Sequence, residues 1–541
     1  MANPGQHAHG PRAPARSAWS PFRHNVYSLL WIATVVSNVG AWMYSAAAAW
    51  LMTSLDPSPV MVSLVQVATS LPMFLFALPA GALADIVDKR RFILILEITV
   101  AAVSALFAAL LSAGVVGSAT LLVFTFLAAT CAALEAPAWQ AIVPQLVPSE
   151  DLPGAIAANS VGVNISRAVG PALAGLLIAS VSILAPFWID AFSNMGVIAV
   201  FLWWRPHRAR RSALPAERFG SALRAGFRYA VYNQPLRTTL ARAAGFFLFA
   251  SAYWALLPLV SRSQLGGGAE LYGLLLGAIG ASAVACAFIL PRLKARFGAD
   301  GLIALGELGT AVTLALLGLA WEPVIALLAC VVAGASWICA IANLNTSAQL
   351  SLPDWVRGRG LAMYVTVFFG SMTIGSAIWG EVAAHLGLAP AHFLAAAGAV
   401  AAIPLTSRWR LQTGLSLDLT PSMHWPEPVL ATTVSVDSGP VLVLVEYRVD
   451  AANRDHFLSA LVRLARERKR DGAYDWGIFE DTAVPGRFLE TFLAESWAEH
   501  LRQHERVTKA DRFIETKVRS LLETAPVVTH LISARADYGG R

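Results

Sequence analysis

Twelve stretches of this chain are each long and apolar enough to cross a bilayer as a helix, which takes about 20 residues. They run approximately over 26–52, 59–84, 92–113, 118–143, 154–181, 184–204, 238–261, 270–291, 301–320, 323–348, 360–386 and 389–407. The breaks have turn chemistry: Asp56-Pro57-Ser58-Pro59, Pro144 to Gly154, Gly266-Gly267-Gly268 and Glu322-Pro323. Charge is segregated in the same way. Of the 74 Asp, Glu, Lys and Arg residues, 39 fall in the first 410 positions and 35 in the last 131. The front is thus about 10% charged and the tail about 27%, close to the roughly 25% of soluble domains. One soluble enzyme, a disordered chain and a disulfide scaffold are all excluded. A large membrane domain with a soluble appendix remains.

The basic residues give the orientation. Residues 1–410 hold 24 Lys and Arg, and 22 of these fall in alternate connections if the N-terminus is cytoplasmic; Arg262 lies outside and Arg167 in mid-span. Cytoplasmic loops carry the excess of positive charge, so both termini are expected in the cytoplasm. This loop pattern also explains the net charge of +6 without a nucleic-acid partner. The polar, Pro-rich segment 1–24 lacks the short apolar core and cleavage site of a removable signal peptide. Cys131, Cys286, Cys330 and Cys339 lie in apolar runs with no CxxC or Cys/His cluster, which argues against disulfides and a metal.

The halves echo one another. Gln145-Leu146-Val147-Pro148 follows the fourth span and Gln349-Leu350-Ser351-Leu352-Pro353 the tenth, and basic loops follow the second and eighth. An Arg-rich linker over 205–237 separates them, with an amphipathic stretch, Ser221 to Tyr232, suited to the membrane surface. Two six-span halves, 25–204 and 238–410, form the parallel-repeat arrangement of secondary transporters, with the substrate path between them.

Local motifs sharpen this. Gly81-Ala82-Leu83-Ala84-Asp85-Ile86-Val87-Asp88-Lys89-Arg90-Arg91 resembles the loop after the second span of the major facilitator superfamily, with Ile86 and Asp88 in place of the usual basic residue and glycine. Pro291 to Gly298 is a faint second copy, and Gly170-Pro171-Ala172-Leu173-Ala174-Gly175 resembles a stretch of superfamily exporters. There Pro171 removes a backbone donor, while Gly170 and Gly175 permit close helix approach. Together with Arg357-Gly358-Arg359, these features resemble the enterobactin-exporter-like, or transmembrane secretion effector, branch over residues 20–410. The resemblance implies an all-α polytopic fold of twelve transmembrane helices in two halves. It also implies proton-driven efflux of drug- or siderophore-type molecules across a bacterial inner membrane, with gating at Gly81, Asp85, Asp88, Lys89, Arg90, Arg91, Gly170, Pro171, Gly175, Arg357 and Arg359. No cofactor is implied; the partners are the lipid bilayer, a small-molecule substrate and protons.

Ionisable groups within spans are costly and therefore functional candidates: Glu97, Glu135, Arg167, Asp190, Glu307 and Glu381. At 1.5 Å per residue, Glu135 and Arg167 lie about 15 and about 21 Å from the cytoplasmic ends of adjacent spans. A buried Glu135–Arg167 pair is expected, either a permanent structural pair or one that a proton releases. Glu135 and Asp190 lead as proton carriers, although Asp190 near the outer end could be simply hydrated. Asn38, Gln66, Asn164, Asn343 and Asn345 are cavity candidates or interhelical hydrogen-bonding groups. Trp31, Trp42, Trp50, Trp254 and Trp337 are candidates for stacking on an aromatic substrate, although several of them are expected to anchor the interface.

After a Thr-, Ser- and Pro-rich linker, 411–438, residues 439–541 read as strand Val441 to Val449, helix Asn453 to Arg470, a hairpin Tyr474 to Glu480 and Arg487 to Ser496, helix Glu499 to Leu522 and strand Val527 to Ser533. That order is ferredoxin-like. It resembles the antibiotic-biosynthesis-monooxygenase type of α+β barrel, which dimerises through its sheet; Trp497 and His504 sit where that family shows aromatic and His positions. His504 with Glu505 could do acid–base work or be a bystander. A homodimer contact, a sensor or a regulator is favoured over an enzyme. A lipid or lysolipid flippase on the same scaffold and a membrane-anchored oxygenase remain as alternatives.

Overall fold

The computed structural model of the 541-residue chain describes residues 19–204, 219–353, 355–411, 418, 420, 422, 434–435 and 438–534. The expectations for residues 1–18, the linker over 205–218 and most of the linker over 411–438 lie outside the described residues. The chain divides into two compact units, Met1–Ala213 with Gly245–Ala340 and Phe368–Leu405, and Leu214–Ala244 with Ile341–Val367 and Thr406–Arg541.

Helices follow the apolar runs: α1 (Asn25–Leu55), α2 (Pro59–Ile86), α3 (Lys89–Ser112), α4 (Ser118–Ile142), α5 (Leu152–Ser180), α6 (Ala185–Trp203), α7 (Phe219–Tyr232), α8 (Gln234–Leu259), α9 (Ala269–Gly318), α10 (Pro323–Leu350), α11 (Arg357–Leu386) and α12 (Leu388–Ser407). Among the described residues, eleven helices are long and apolar enough to cross a membrane. The sequence count of twelve places a break between runs 270–291 and 301–320, and the helical run Ala269–Gly318 is indeed two helices joined across a kink inside that break. Gly298 interrupts it with φ 67° and ψ 179°, a left-handed conformation that glycine adopts at no steric cost. Where α2 begins, Pro59 occupies a first-turn position and the Ser58 side chain accepts from the Met61 amide, so the turn after α1 is also a helix cap.

In the first unit α1 packs on α5 and α6, α3 on α4 and α6, and α2 on α4, while α5 packs along α9. Large apolar side chains such as Phe192, Leu202, Phe288 and Leu405 face outward. Such a surface is unsuited to water and suited to lipid. Asp88 has a local job: its carboxylate accepts from the Arg91 amide at 2.8 Å and caps α3. Arg90 donates to the carbonyls of Phe201 and Leu202 at 2.8 and 3.3 Å, satisfying the last turn of α6.

The second unit contains α7, the adjoining ends of α8, α10 and α11, and the tail. The tail has β1 (Val441–Arg448), α13 (Arg454–Asp471), β2 (Tyr474–Glu480), β3 (Arg487–Ala494), α14 (Trp497–Arg506), α15 (Lys509–Arg519) and β4 (Val527–Ile532). Its antiparallel sheet has the order β2-β3-β1-β4. The inward face of β1 and β3 (Val441, Val443, Val445, Tyr447, Phe488 and Phe492) packs on Phe457, Leu461 and Leu464 of α13. The single helix expected over 499–522 is two, because Thr508 and Asp511 form a reciprocal capping box that starts α15 afresh. Tail and helix ends touch within this unit. Arg228 of α7 lies 3.6 Å from Glu499, Arg470 lies over the Tyr229 ring, and the Arg506 guanidinium sits 4.5 Å from the centre of the Trp355 ring.

Candidate functional site

Three of the first unit's intramembrane carboxyls, on α3, α4 and α6, lie near one another. Glu97 of α3, 4% exposed, faces Glu135 of α4 closely enough for the two carboxyls to interact, and its buried Oε2 has no hydrogen-bond partner among the described residues. A carboxylate only accepts, so two carboxyls bond to each other only when one carries a proton. Asp190 of α6 is near enough to Glu97 to act on it electrostatically. Asp190 is not hydrated: it is 3% exposed, accepts from the Ser104 hydroxyl at 2.6 Å, and its backbone carbonyl accepts from Asn194 at 2.8 Å. Gly40 of α1 lets α6 come this close, since a Cβ there would fall 3.0 Å from the Asp190 Cα.

The expected Glu135–Arg167 pair does not form. Equal depth on neighbouring helices did not decide which faces meet, and Glu135 turns to α3 while Arg167 turns to α1. The Arg167 guanidinium lies 5.4 Å from the centre of the Trp42 ring. It borders a small cavity of about 20 Å³ lined by Trp42, Pro171, Trp254, Ile279, Gly280 and Trp337, among others. The cavity lies where α1 and α5 meet α8, α9 and α10. The buried Arg167 Nε and Trp337 Nε1 have no hydrogen-bond acceptor among the described residues, and Trp254 has only the Tyr253 hydroxyl beside it.

The glycine motif of α5 faces two neighbours. A Cβ on Gly170 would stand 2.6 Å from the Trp42 Cβ, and one on Gly175 would stand 2.6 Å from the Gly273 Cα and 2.7 Å from the Ala269 carbonyl. Farther along, Gly280 meets Ala168, with 2.5 Å left for a Cβ. The glycines of α9 were not singled out from sequence, although Gly273, Gly277 and Gly280 supply the small-residue spacing of a close crossing. Beyond this seam Arg262 donates to the Thr53 hydroxyl at 3.0 Å and to Ser54, with its guanidinium over Trp50. Arg262 therefore fastens the chain after α8 to the end of α1. Sequence reading noticed it only as an exception to the loop charges.

Other candidates stand apart. Glu307 of α9 is buried. Glu381 is exposed and bonds His385 one turn on, at 2.9 Å. Asn164 donates to the Ser160 carbonyl of its own helix at 2.8 Å. Asn38 and Gln66 are half-buried on α1 and α2. Asn343 and Asn345 lie in the second unit, as do Arg357 and Arg359. Gly81 has open space around its Cα, and Lys89 opens α3. The Asp85 side chain lies outside the described residues. No cluster with metal-binding geometry occurs among the described residues.

In the tail, Glu490 is fully buried and accepts from the Tyr447 hydroxyl and the Trp476 indole N–H, both at 2.7 Å. His500 packs on His504 and His530. Burial and the neighbouring imidazoles hold His500 down to about 3 and His504 to about 4. Trp497 belongs to the tail core and its ring packs on His500 and His530.

The family model described as transmembrane secretion effector matches residues 16–538. The staphyloferrin A transporter of Staphylococcus aureus is 24% identical over 349 residues, covering 62% of this chain and 84% of that protein. An uncharacterised MFS-type transporter of Bacillus subtilis, YfiS, is 26% identical over 266 residues, covering 48% and 62%. Among solved structures, a POT family transporter bound to a thioalcohol-conjugated peptide superimposes with a TM-score of 0.57 at 12% identity, over 70% of this chain and 94% of that one. A bacterial homologue of the human lysosomal transporter Spinster, inward-facing and unoccupied, gives a TM-score of 0.53 at 15% identity, over 72% and 97%. These last two likenesses concern the fold.

Proposed function

Because the chain belongs to the transmembrane secretion effector family, and so is a multi-pass membrane transporter of the major facilitator type, we propose that it exports a small amphiphilic, siderophore- or drug-like molecule against an inward flow of protons. Two six-helix halves alternate access across a bacterial inner membrane, with both chain ends in the cytoplasm. The twelve-crossing reading takes the break at Gly298 as the boundary between the eighth and ninth spans. The relative that transports staphyloferrin A supports a small-molecule cargo.

The Glu97–Glu135 contact carries the coupling. Two carboxyls in reach of one another hold a proton between them. Loss of that proton leaves two like charges in a low-dielectric setting, which repel. Proton binding and release therefore bias how α3 packs on α4, which is the differential interaction a coupled conformational change requires. Asp190, beside the pair, is the second group that feels its charge. The gating residues Asp85, Lys89, Arg90, Arg91, Arg357 and Arg359 belong to the same cycle. The order β2-β3-β1-β4 supports a ferredoxin-like tail, which serves as a dimer contact, sensor or regulator rather than an enzyme.

Efflux of dyes, antibiotics and siderophores from vesicles, with and without a pH gradient, tests the reading. Glu97→Gln and Glu135→Gln are each expected to abolish the response to the gradient. Gradient-driven efflux that persists undiminished in both variants would remove the pair as coupler.

A further inference from the structure

We propose that the Arg167 cavity is the headgroup subsite for a flat organic anion, a carboxylate joined to an aromatic or other planar apolar body. The inference rests on the transporter reading and names the class of its cargo.

Charge balance is the first argument. Arg167 forms no ion pair with any described residue, and its Nε is buried without an acceptor. An arginine in a membrane span is retained at a cost that an opposite charge offsets, and no acidic side chain lines this cavity. The missing charge is supplied by the ligand.

Donor chemistry is the second. The polar side-chain groups on the wall are all N–H donors: the Arg167 guanidinium and the Trp42, Trp254 and Trp337 indoles. A guanidinium matches a carboxylate bidentately, and donors without acceptors select an anion over a neutral polar group. Shape is the third. Trp42, Trp254 and Trp337 supply flat apolar faces, and Pro171, Leu276, Ile279 and Ala283 complete an apolar wall. The present volume, about 20 Å³, holds only a water-sized group. This conformation is contracted, and a cargo enters as α5 and α9 part.

Binding is read by equilibrium dialysis of the full-length protein in detergent, using 2-naphthoate, its neutral isostere 2-naphthamide and lysophosphatidate. Naphthoate is expected to bind at least tenfold tighter than the amide. Arg167→Gln should reduce that ratio to near one while leaving amide binding in place, and Arg167→Lys should keep part of it. Equal binding of acid and amide by the natural protein, or an undiminished ratio in Arg167→Gln, overturns the proposal. Binding of lysophosphatidate alone overturns the soluble-anion assignment in favour of a lipid headgroup. Should Arg167→Gln not fold, the acid-to-amide ratio of the natural protein and of Arg167→Lys decides the matter. Dialysis needs no gradient, so the two readings fail separately. Efflux that ignores the gradient while the acid preference stands sinks the coupling alone. Lost preference with intact gradient-driven efflux sinks this site alone.

Discussion

Adding one methyl group at Gly175 tests whether the α5–α9 seam is a closed state of the transporter. The Cβ of Gly175→Ala would stand 2.6 Å from the Gly273 Cα and 2.7 Å from the Ala269 carbonyl. Both are backbone atoms, so no side chain can swing aside. Carbon atoms rest at about 3.5–4.0 Å, so the two helices must separate by roughly 1 Å at this point. Overpacking of this kind costs about 1–3 kcal/mol, a shift of about 5- to 150-fold against the packed seam at about 1.4 kcal/mol per tenfold. Spin labels at Ser180 and Glu270, both exposed near the ends of α5 and α9, report the separation in lipid. The variant should gain a population at longer distance and lose most of its efflux. Gly277→Ala is the control, since its Cβ meets only the Ala172 methyl, at 3.2 Å. A distance distribution and an efflux rate unchanged in Gly175→Ala would refute the reasoning, because the seam would then tolerate a methyl that its backbone contacts forbid.

Arg262→Ala removes the donor to Thr53 and Ser54 and the cation over Trp50; the same labels should again move apart, and an unchanged distribution would show that this clasp contributes nothing. In the tail, Glu490→Ala leaves Arg468, 3.7 Å away, and the Tyr447 and Trp476 donors without their carboxylate. A loss of about 3–5 kcal/mol is expected in the tail's unfolding by denaturant, and a loss under 1 kcal/mol would contradict the assigned network. The imidazoles of His500 and His504 are held below their ordinary value by burial, so the unfolded tail binds more protons below about pH 6.5. Stability from them is full above that pH and falls as pH drops toward 3. At pH 5 it is down by about 2 kcal/mol for His500, and hydrogen exchange in α14 and β4 that is equally slow at pH 5 and pH 7.5 would disprove this.

The apolar runs made the membrane helices legible to within four residues at their ends, because a span must satisfy its backbone within itself and so announces its length in composition. The join between the eighth and ninth runs was legible too, since the apolar pattern lapses between 291 and 301, where Gly298 kinks the chain. The tail strands were legible from alternation. The break before α15 was also written, as Thr508 and Asp511 three residues apart, but the helical pattern on either side masked it. The charged site was legible as a set of residues and illegible as an arrangement. Sequence gives the depth of Glu135 and Arg167. It does not give the rotation of α4 and α5, and rotation set one carboxyl against Glu97 and the guanidinium against Trp42. Arg262 and the glycines of α9 were missed because each acts only through a partner distant in the chain.

The contact of Arg506 with Trp355 and of Arg470 with Tyr229 has a practical consequence. A chain cut before β1 would not be the same transporter minus an ornament. It would uncover two aromatic rings and strip Arg228 of Glu499, so aggregation or altered turnover in such a truncation reports a raw wound on the remaining protein as much as the loss of whatever the appendix does. Single charge reversals at Arg506 or Glu499, which loosen the seat without removing it, separate those two effects.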